Sequence, residues 1–136
     1  MNNIINVDWY NDSKGTNVGA TRAAIEGLGA GKEGKIVLIV GGIGKGADFS
    51  ALRDVVAKYV RAVVLIGKDA LLIEQALIGT SKILHSSSMA EAVELCASEA
   101  RPKDAVLLSP ACASFDMFDD FEDRGKNFME EVKKII

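Results

Sequence analysis

The chain has 136 residues, 49% of them hydrophobic and 26% charged, with sixteen basic residues against nineteen acidic ones and a net charge of −3. That length makes one domain with a continuous core, and the longest apolar runs, Ile36 to Val40 and Ala62 to Ile66, are far too short to span a bilayer. The basic residues form no stripe for nucleic acid, no secretory leader pattern opens the chain, and the two cysteines stand in no metal-ligand spacing. The expectation is therefore a cytoplasmic protein with neither membrane nor nucleic acid as partner, open to small anionic ligands.

Ile4 to Tyr10 is rich in β-formers and runs into a polar knot, Asn11-Asp12-Ser13-Lys14-Gly15-Thr16-Asn17, which predicts a strand, a loop and a helix start. Thr16 or Asn17 can cap the helix that follows, where Thr21, Ala24, Ile25 and Leu28 share a face before Gly29-Ala30-Gly31 ends it. Lys35 to Val40 reads as a strand buried on both sides, followed by the glycine loop Gly41-Gly42-Ile43-Gly44-Lys45-Gly46. The next helix aligns Leu52, Val55, Val56 and Tyr59, with Asp48 or Ser50 as cap. Ala62 to Ile66 is another buried strand, Gly67-Lys68-Asp69 turns into a short helix stopping near Gly79, and Lys82 to His85 is a brief strand. Ser88-Met89-Ala90-Glu91 forms a capping box for a helix through Ala100, which Pro102 stops. Asp104 to Leu108 makes the last strand, and the closing helix aligns Phe121, Gly125, Phe128, Val132 and Ile135.

Alternating strands and helices, with several strands apolar throughout, predict a single Rossmann-like α/β domain: a mainly parallel sheet with helices on both faces. Ligands of such sheets bind at the carboxyl ends of the strands. The glycine loop fits neither phosphate motif well. Gly46 occupies the Walker A position for Ser or Thr, and the Gly42-Ile43-Gly44-Lys45-Gly46-Ala47 version of a dinucleotide fingerprint lacks an acidic residue after the next strand. A tight turn with an exposed lysine explains the spacing, yet Lys45 at a strand's carboxyl end suits a carboxylate or phosphate.

The same choice recurs elsewhere. Capping accounts for Thr16 and Asn17, whereas Asp12 and Lys14 could meet the sugar and anionic groups of a nucleotide. Ser114 has neither a histidine placed to activate it nor a nucleophile elbow, so it reads as a hydrogen-bond donor to a ligand carboxylate. His85 reads as a surface or packing residue, Cys96 as core, and Cys112 as space-filling. Asp116, Asp119, Asp120, Glu122 and Asp123 read as a solvated helix start favoured by the dipole.

Three segments, Tyr10 to Asn17 (YNDSKGTN), Gly41 to Ser50 (GGIGKGADFS) and Leu108 to Gly125 (LSPACASFDMFDDFEDRG), resemble the C-terminal domain of the Mur ligases over essentially the whole chain. Within that family Asn11-Asp12-Ser13-Lys14, with no histidine, is similar to the branch that adds D-glutamate to UDP-N-acetylmuramoyl-L-alanine. The resemblance implies an ATP-dependent ligation in peptidoglycan synthesis, in which the substrate carboxylate is phosphorylated and attacked by the amine of D-glutamate. It further implies that Lys45 and Ser114 bind carboxylate oxygens of D-glutamate, that Thr16, Phe121 and Phe115 complete that pocket, and that Asp12, Lys14 and Asn11 face ATP or ADP. No catalytic residue and no metal ligand is expected here. The family's phosphate loop, Mg²⁺ ligands and uridine-nucleotide domain have no counterpart, so residues 1–136 are expected to be a fragment, inactive alone. Gly15, where the family often has alanine, and Gly44, where it often has an acid, predict looser loops. The alternatives are a freestanding Rossmann-like nucleotide-binding module and an interaction domain docking through its acidic segment.

Overall fold

The two continuous apolar runs form the strands at the middle of one five-stranded sheet. In the computed structural model, which describes residues 6–114 and 117–136, the elements follow in strict alternation. They are β1 (Asp8–Asn11), α1 (Val18–Gly29), β2 (Ile36–Gly41), α2 (Arg53–Tyr59), β3 (Val60–Ile66), α3 (Ala70–Leu77), β4 (Lys82–His85), α4 (Met89–Glu99), β5 (Ala105–Leu108) and α5 (Phe121–Ile135). The sheet order is β1-β5-β2-β3-β4 and every pairing is parallel. β5 thus lies between β1 and β2, with Ala105 in register with both Asp8 and Ile36.

The pleat divides the core in two. Ile36, Leu38 and Val40 of β2 face Ile25 of α1, Val55 and Val56 of α2 and Ile73 and Leu77 of α3. Val37 and Ile39 face Met89, Val93 and Cys96 of α4 and Phe128 and Val132 of α5. Crossovers β1→β2, β2→β3 and β3→β4 all step one way across the sheet, and β4→β5 steps back. The right-handed rule then puts α1, α2 and α3 on one face and α4 on the other, as the two core clusters have it.

Local signals account for most boundaries. Asn17, not Thr16, caps α1, its side chain accepting from the Ala20 amide at 2.8 Å. Asp48 caps a 3₁₀ turn, Phe49–Leu52, which leads into α2, so the single helix expected there is two pieces. At α4 the Ser88 hydroxyl accepts from the Glu91 amide at 3.1 Å. The return bond runs from the Ser87 amide to Glu91, one residue earlier than in the standard capping box. Among the described residues the first strand begins at Asp8, leaving Asn6 and Val7 of the expected span outside it, and Ile4 and Ile5 lie outside the described residues.

At the amino end of the sheet a charged group is sealed inside. Asp104 has no exposed surface and accepts from Arg61 Nε (2.6 Å) and Nη2 (3.0 Å) and from the amides of Lys35 and Arg101 (both 2.9 Å). Burial pushes its carboxyl up, but Arg61 and the two amides together outweigh burial and hold it below the usual carboxylate range. It ties β5, β2 and β3 together far from their carboxyl ends.

Candidate functional site

Because α1 and the segment after β2 leave toward one face while α5 leaves toward the other, the chain splays apart on both sides of β5. This is the switch point at which open α/β sheets take their ligands. Three loops meet there, and a cleft of about 360 Å³ opens between them. The loop after β1 contributes Thr16 and Asn17, the loop after β2 Ile43, Gly44, Lys45 and Ala47, and the segment after β5 Ala111, Ala113, Ser114, Asp120 and Phe121. The walls are mostly apolar, with a cation, hydroxyls and a helix-capping acid set into them. A shallower neighbouring cleft of about 290 Å³ is lined by Asn11, Ser13, Lys14, Phe121, Glu122 and Gly125. Phe121 is the wall common to both.

The loops are bound to one another by their backbones. Ile43 and Ala113 form a two-way antiparallel bridge, 2.9 Å and 3.0 Å, and the Gly41 amide donates to the Pro110 carbonyl at 3.0 Å. The Gly15 carbonyl accepts from the Ala111 amide at 2.9 Å. Two residues at the cleft adopt left-handed backbone without being glycine, Lys45 (φ 51°) and Ala111 (φ 63°). Such conformations are uncommon and persist where surroundings over-determine them.

Neither Gly15 nor Gly44 loosens its loop, contrary to the expectation. A Cβ on Gly15 would lie 2.7 Å from Asp12 Oδ2 and 2.8 Å from Ser109 Oγ. On Gly44 it would lie 2.6 Å from the Phe49 ring, and the Gly44 amide is held by Asp69 Oδ2 at 2.7 Å. Close approach, not flexibility, is what these glycines supply.

The expected site residues fall into three groups. Lys45, Thr16, Ser114 and Phe121 come together in the larger cleft. Lys45 and Thr16 are exposed, and Ser114 is buried with its carbonyl accepting the Met117 and Phe118 amides; among the described residues its hydroxyl has no hydrogen-bond partner. Phe121 is 43% exposed, so it stands outside the core stripe in which the helical spacing put it. Asn11 and Lys14 line the smaller cleft. Asp12 lines neither, and its Oδ2 accepts from Ser109 Oγ at 2.8 Å, bracing the loop from within. Phe115, like Asp116, lies outside the described residues.

Arg124 is a residue that the sequence reading does not single out. It has no exposed surface, and its guanidinium donates to Ser13 Oγ (3.0 Å), the Ser13 carbonyl (2.7 Å) and the Cys112 carbonyl (2.9 Å). Ser13 Oγ in turn donates to the Phe121 carbonyl at 2.6 Å. One side chain therefore joins the loop after β1, the loop after β5 and the first turn of α5. The acidic segment serves its own helix, Asp120 accepting from the Asp123 amide at 2.8 Å and Asp123 from the Asp119 amide at 3.1 Å. Among the described residues no three His, Cys, Asp or Glu side chains are grouped to hold a metal ion, and no helix is long and apolar enough to cross a membrane.

The family model for the Mur ligase glutamate ligase domain matches residues 2–112. The chain belongs to the Mur ligase family. It is 58% identical over 129 residues to the UDP-N-acetylmuramoylalanine--D-glutamate ligase of Coxiella burnetii, covering 95% of this chain and 29% of that protein. With the ligase of the same name from Acinetobacter baylyi it shares 55% over 136 residues, covering 98% of this chain and 30% of that one. The Mur ligase domain thus spans under a third of the length of these relatives. In fold it resembles a domain ascribed to a UDP-N-acetylmuramate:L-alanyl-gamma-D-glutamyl-meso-diaminopimelate ligase from Haemophilus ducreyi. That likeness has a TM-score of 0.63 at 16% identity over 96% of this chain and 93% of that one. Escherichia coli FolC in complex with ADP gives 0.57 at 19% identity over 88% of this chain and 27% of that one. Both likenesses bear out the Rossmann-like parallel sheet with helices on both faces.

Proposed function

We propose that residues 1–136 are the C-terminal domain of a longer, cytoplasmic ligase that joins D-glutamate to UDP-N-acetylmuramoyl-L-alanine at the expense of ATP, in peptidoglycan synthesis. The observation that carries this reading is the meeting of Lys45 and Ser114 in one apolar-walled cleft at the switch point of a domain whose relatives bear that ligase name. In this reading Lys45 and the Ser114 hydroxyl hold carboxylate oxygens of D-glutamate, while Thr16 and the Phe121 ring close the pocket around its carbon chain. A dianionic amino acid calls for charge-assisted donors. Fixing it so that its free amine meets an activated carboxylate supplies proximity, with no acid or base demanded of this domain.

The residues present fit one edge of a nucleotide and no more. Lys14 and Asn11 line a shallow cleft with Glu122 at its rim, and the carboxylate of Asp12 is already engaged by Ser109. Lys14 would meet phosphate or sugar oxygens of bound ATP from this side, and ATP supplies the phosphoryl group that activates the acceptor carboxylate. The phosphate loop and the Mg²⁺ ligands belong to the rest of the ligase, so this domain binds and orients while remaining inactive alone. The freestanding nucleotide-binding reading finds no such support, given relatives about three times as long.

The test is Lys45→Ala in the complete ligase. Losing a charge-assisted contact of roughly 1.5–3 kcal/mol raises the KM for D-glutamate about ten- to a hundredfold. An unchanged KM and kcat would refute the assignment.

A further inference from the structure

We infer that Asp69, which no sequence motif singles out, is a positioning residue for the amino-acid pocket: it fixes the loop that presents Lys45. Asp69 follows β3 and lines neither cleft, yet it holds the glycine loop in both directions. Its Oδ2 accepts from the Gly44 amide at 2.7 Å, and its own amide donates to the Gly42 carbonyl at 3.0 Å. It stands at the N-cap of α3, where an aspartate ordinarily turns its carboxylate to the helix's first amides, but its side chain makes no cap bond. The carboxylate is given over to the loop instead.

Gly44 is buried, and the Phe49 ring leaves no room for a side chain there. Its amide has Asp69 as acceptor, and a buried amide deprived of its acceptor drives the backbone to rearrange. The next residue is Lys45, held at φ 51°, a conformation it keeps only while the turn around it is held. The preceding residue, Ile43, is bridged to Ala113, beside Ser114. The backbone from which Lys45 projects is thus held relative to Ser114 by backbone ties to the segment after β5 and by the carboxylate of Asp69. This inference rests on the D-glutamate reading of the cleft.

The experiment is steady-state kinetics of the complete ligase with each substrate varied in turn. Asp69→Ala raises the KM for D-glutamate about tenfold and leaves the KM values for ATP and UDP-N-acetylmuramoyl-L-alanine within about twofold. Asp69→Asn, whose amide oxygen still accepts from Gly44, recovers most of the loss. Asp69→Ser puts a hydroxyl favoured at a helix N-cap in its place while falling short of Gly44, and it matches alanine in KM; it also serves if the alanine variant does not fold. Combined with Lys45→Ala, Asp69→Ala adds nothing further to the KM for D-glutamate. Equal shifts in all three KM values, a wild-type KM in the serine variant, or full additivity with Lys45→Ala would each overturn the role. If Lys45→Ala alone leaves the KM for D-glutamate unchanged, the pocket assignment fails, whatever Asp69 does.

Discussion

Replacing Asp104 tests whether the amino end of the sheet is held by one buried carboxylate. Asp104→Ala removes the acceptor for two Arg61 donors and for the amides of Lys35 and Arg101. Breaking a buried ion pair by removing one partner costs roughly 3–5 kcal/mol. The Arg61 side chain is 23% exposed and can turn to water, which lowers the expectation to about 2–4 kcal/mol. For a domain of this size that is a fall in Tm of roughly 6–15 °C. The assay is urea unfolding of wild type and variant across pH. The folded pKa of Asp104 lies below its unfolded value, so its contribution is fully present above about pH 4 and is lost as pH falls through the folded pKa. The gap between the two proteins is accordingly constant near neutrality and closes in acid. A neutral-pH difference under about 1 kcal/mol, or a gap that persists unchanged at low pH, would refute this account.

Phe121→Ala leaves the melting temperature within a few degrees, because Phe121 is 43% exposed and stands outside both core clusters, but weakens discrimination between D-glutamate and other amino acids. Loss of folding in that variant would return Phe121 to the core. Arg124→Lys cannot reach Ser13 Oγ, the Ser13 carbonyl and the Cys112 carbonyl together, so it destabilises the fold by roughly 2–3 kcal/mol in urea titrations. A loss below about 1 kcal/mol would show that the planar fork is dispensable. Lys14→Ala in the complete ligase raises the KM for ATP severalfold and leaves that for D-glutamate unchanged. The reverse pattern would exchange the ligands of the two clefts.

What could be read in advance followed from burial on both faces. Ile36 to Val40 and Ala62 to Ile66 carry no polar residue because both sheet faces are covered at β2 and β3, so their runs announce strands in a parallel sheet. β1 is an edge strand, mostly exposed and without clean alternation, so the sequence marks its limits poorly. Lys45 and Ser114 were legible as candidates because the strand ends preceding them are abrupt. That the β1 loop meets them follows from β5 inserting between β1 and β2, a pairing that no local pattern encodes. Arg124 was illegible because an arginine in a charged helical turn reads as solvated, and its acceptors lie 111 and 12 residues away in the chain. Asp69 hid in the same way, in a turn between strand and helix, because the amide it accepts from lies 25 residues away in the chain.

The bridge between Ile43 and Ala113 bears on how the pocket does its work. Because the loops after β2 and β5 are sewn together by two backbone hydrogen bonds, the two walls of the cleft cannot gape independently. On the proposed reading, an amino acid arriving there finds its cationic and hydroxyl anchors on a frame whose backbone is already tied, and little backbone order remains to be acquired on binding. The adjustment that brings amine to activated carboxylate then falls to a swing of the whole domain rather than to the walls of the cleft. On that reading the sheet behaves as a tool carried to the work rather than a hand that closes on it.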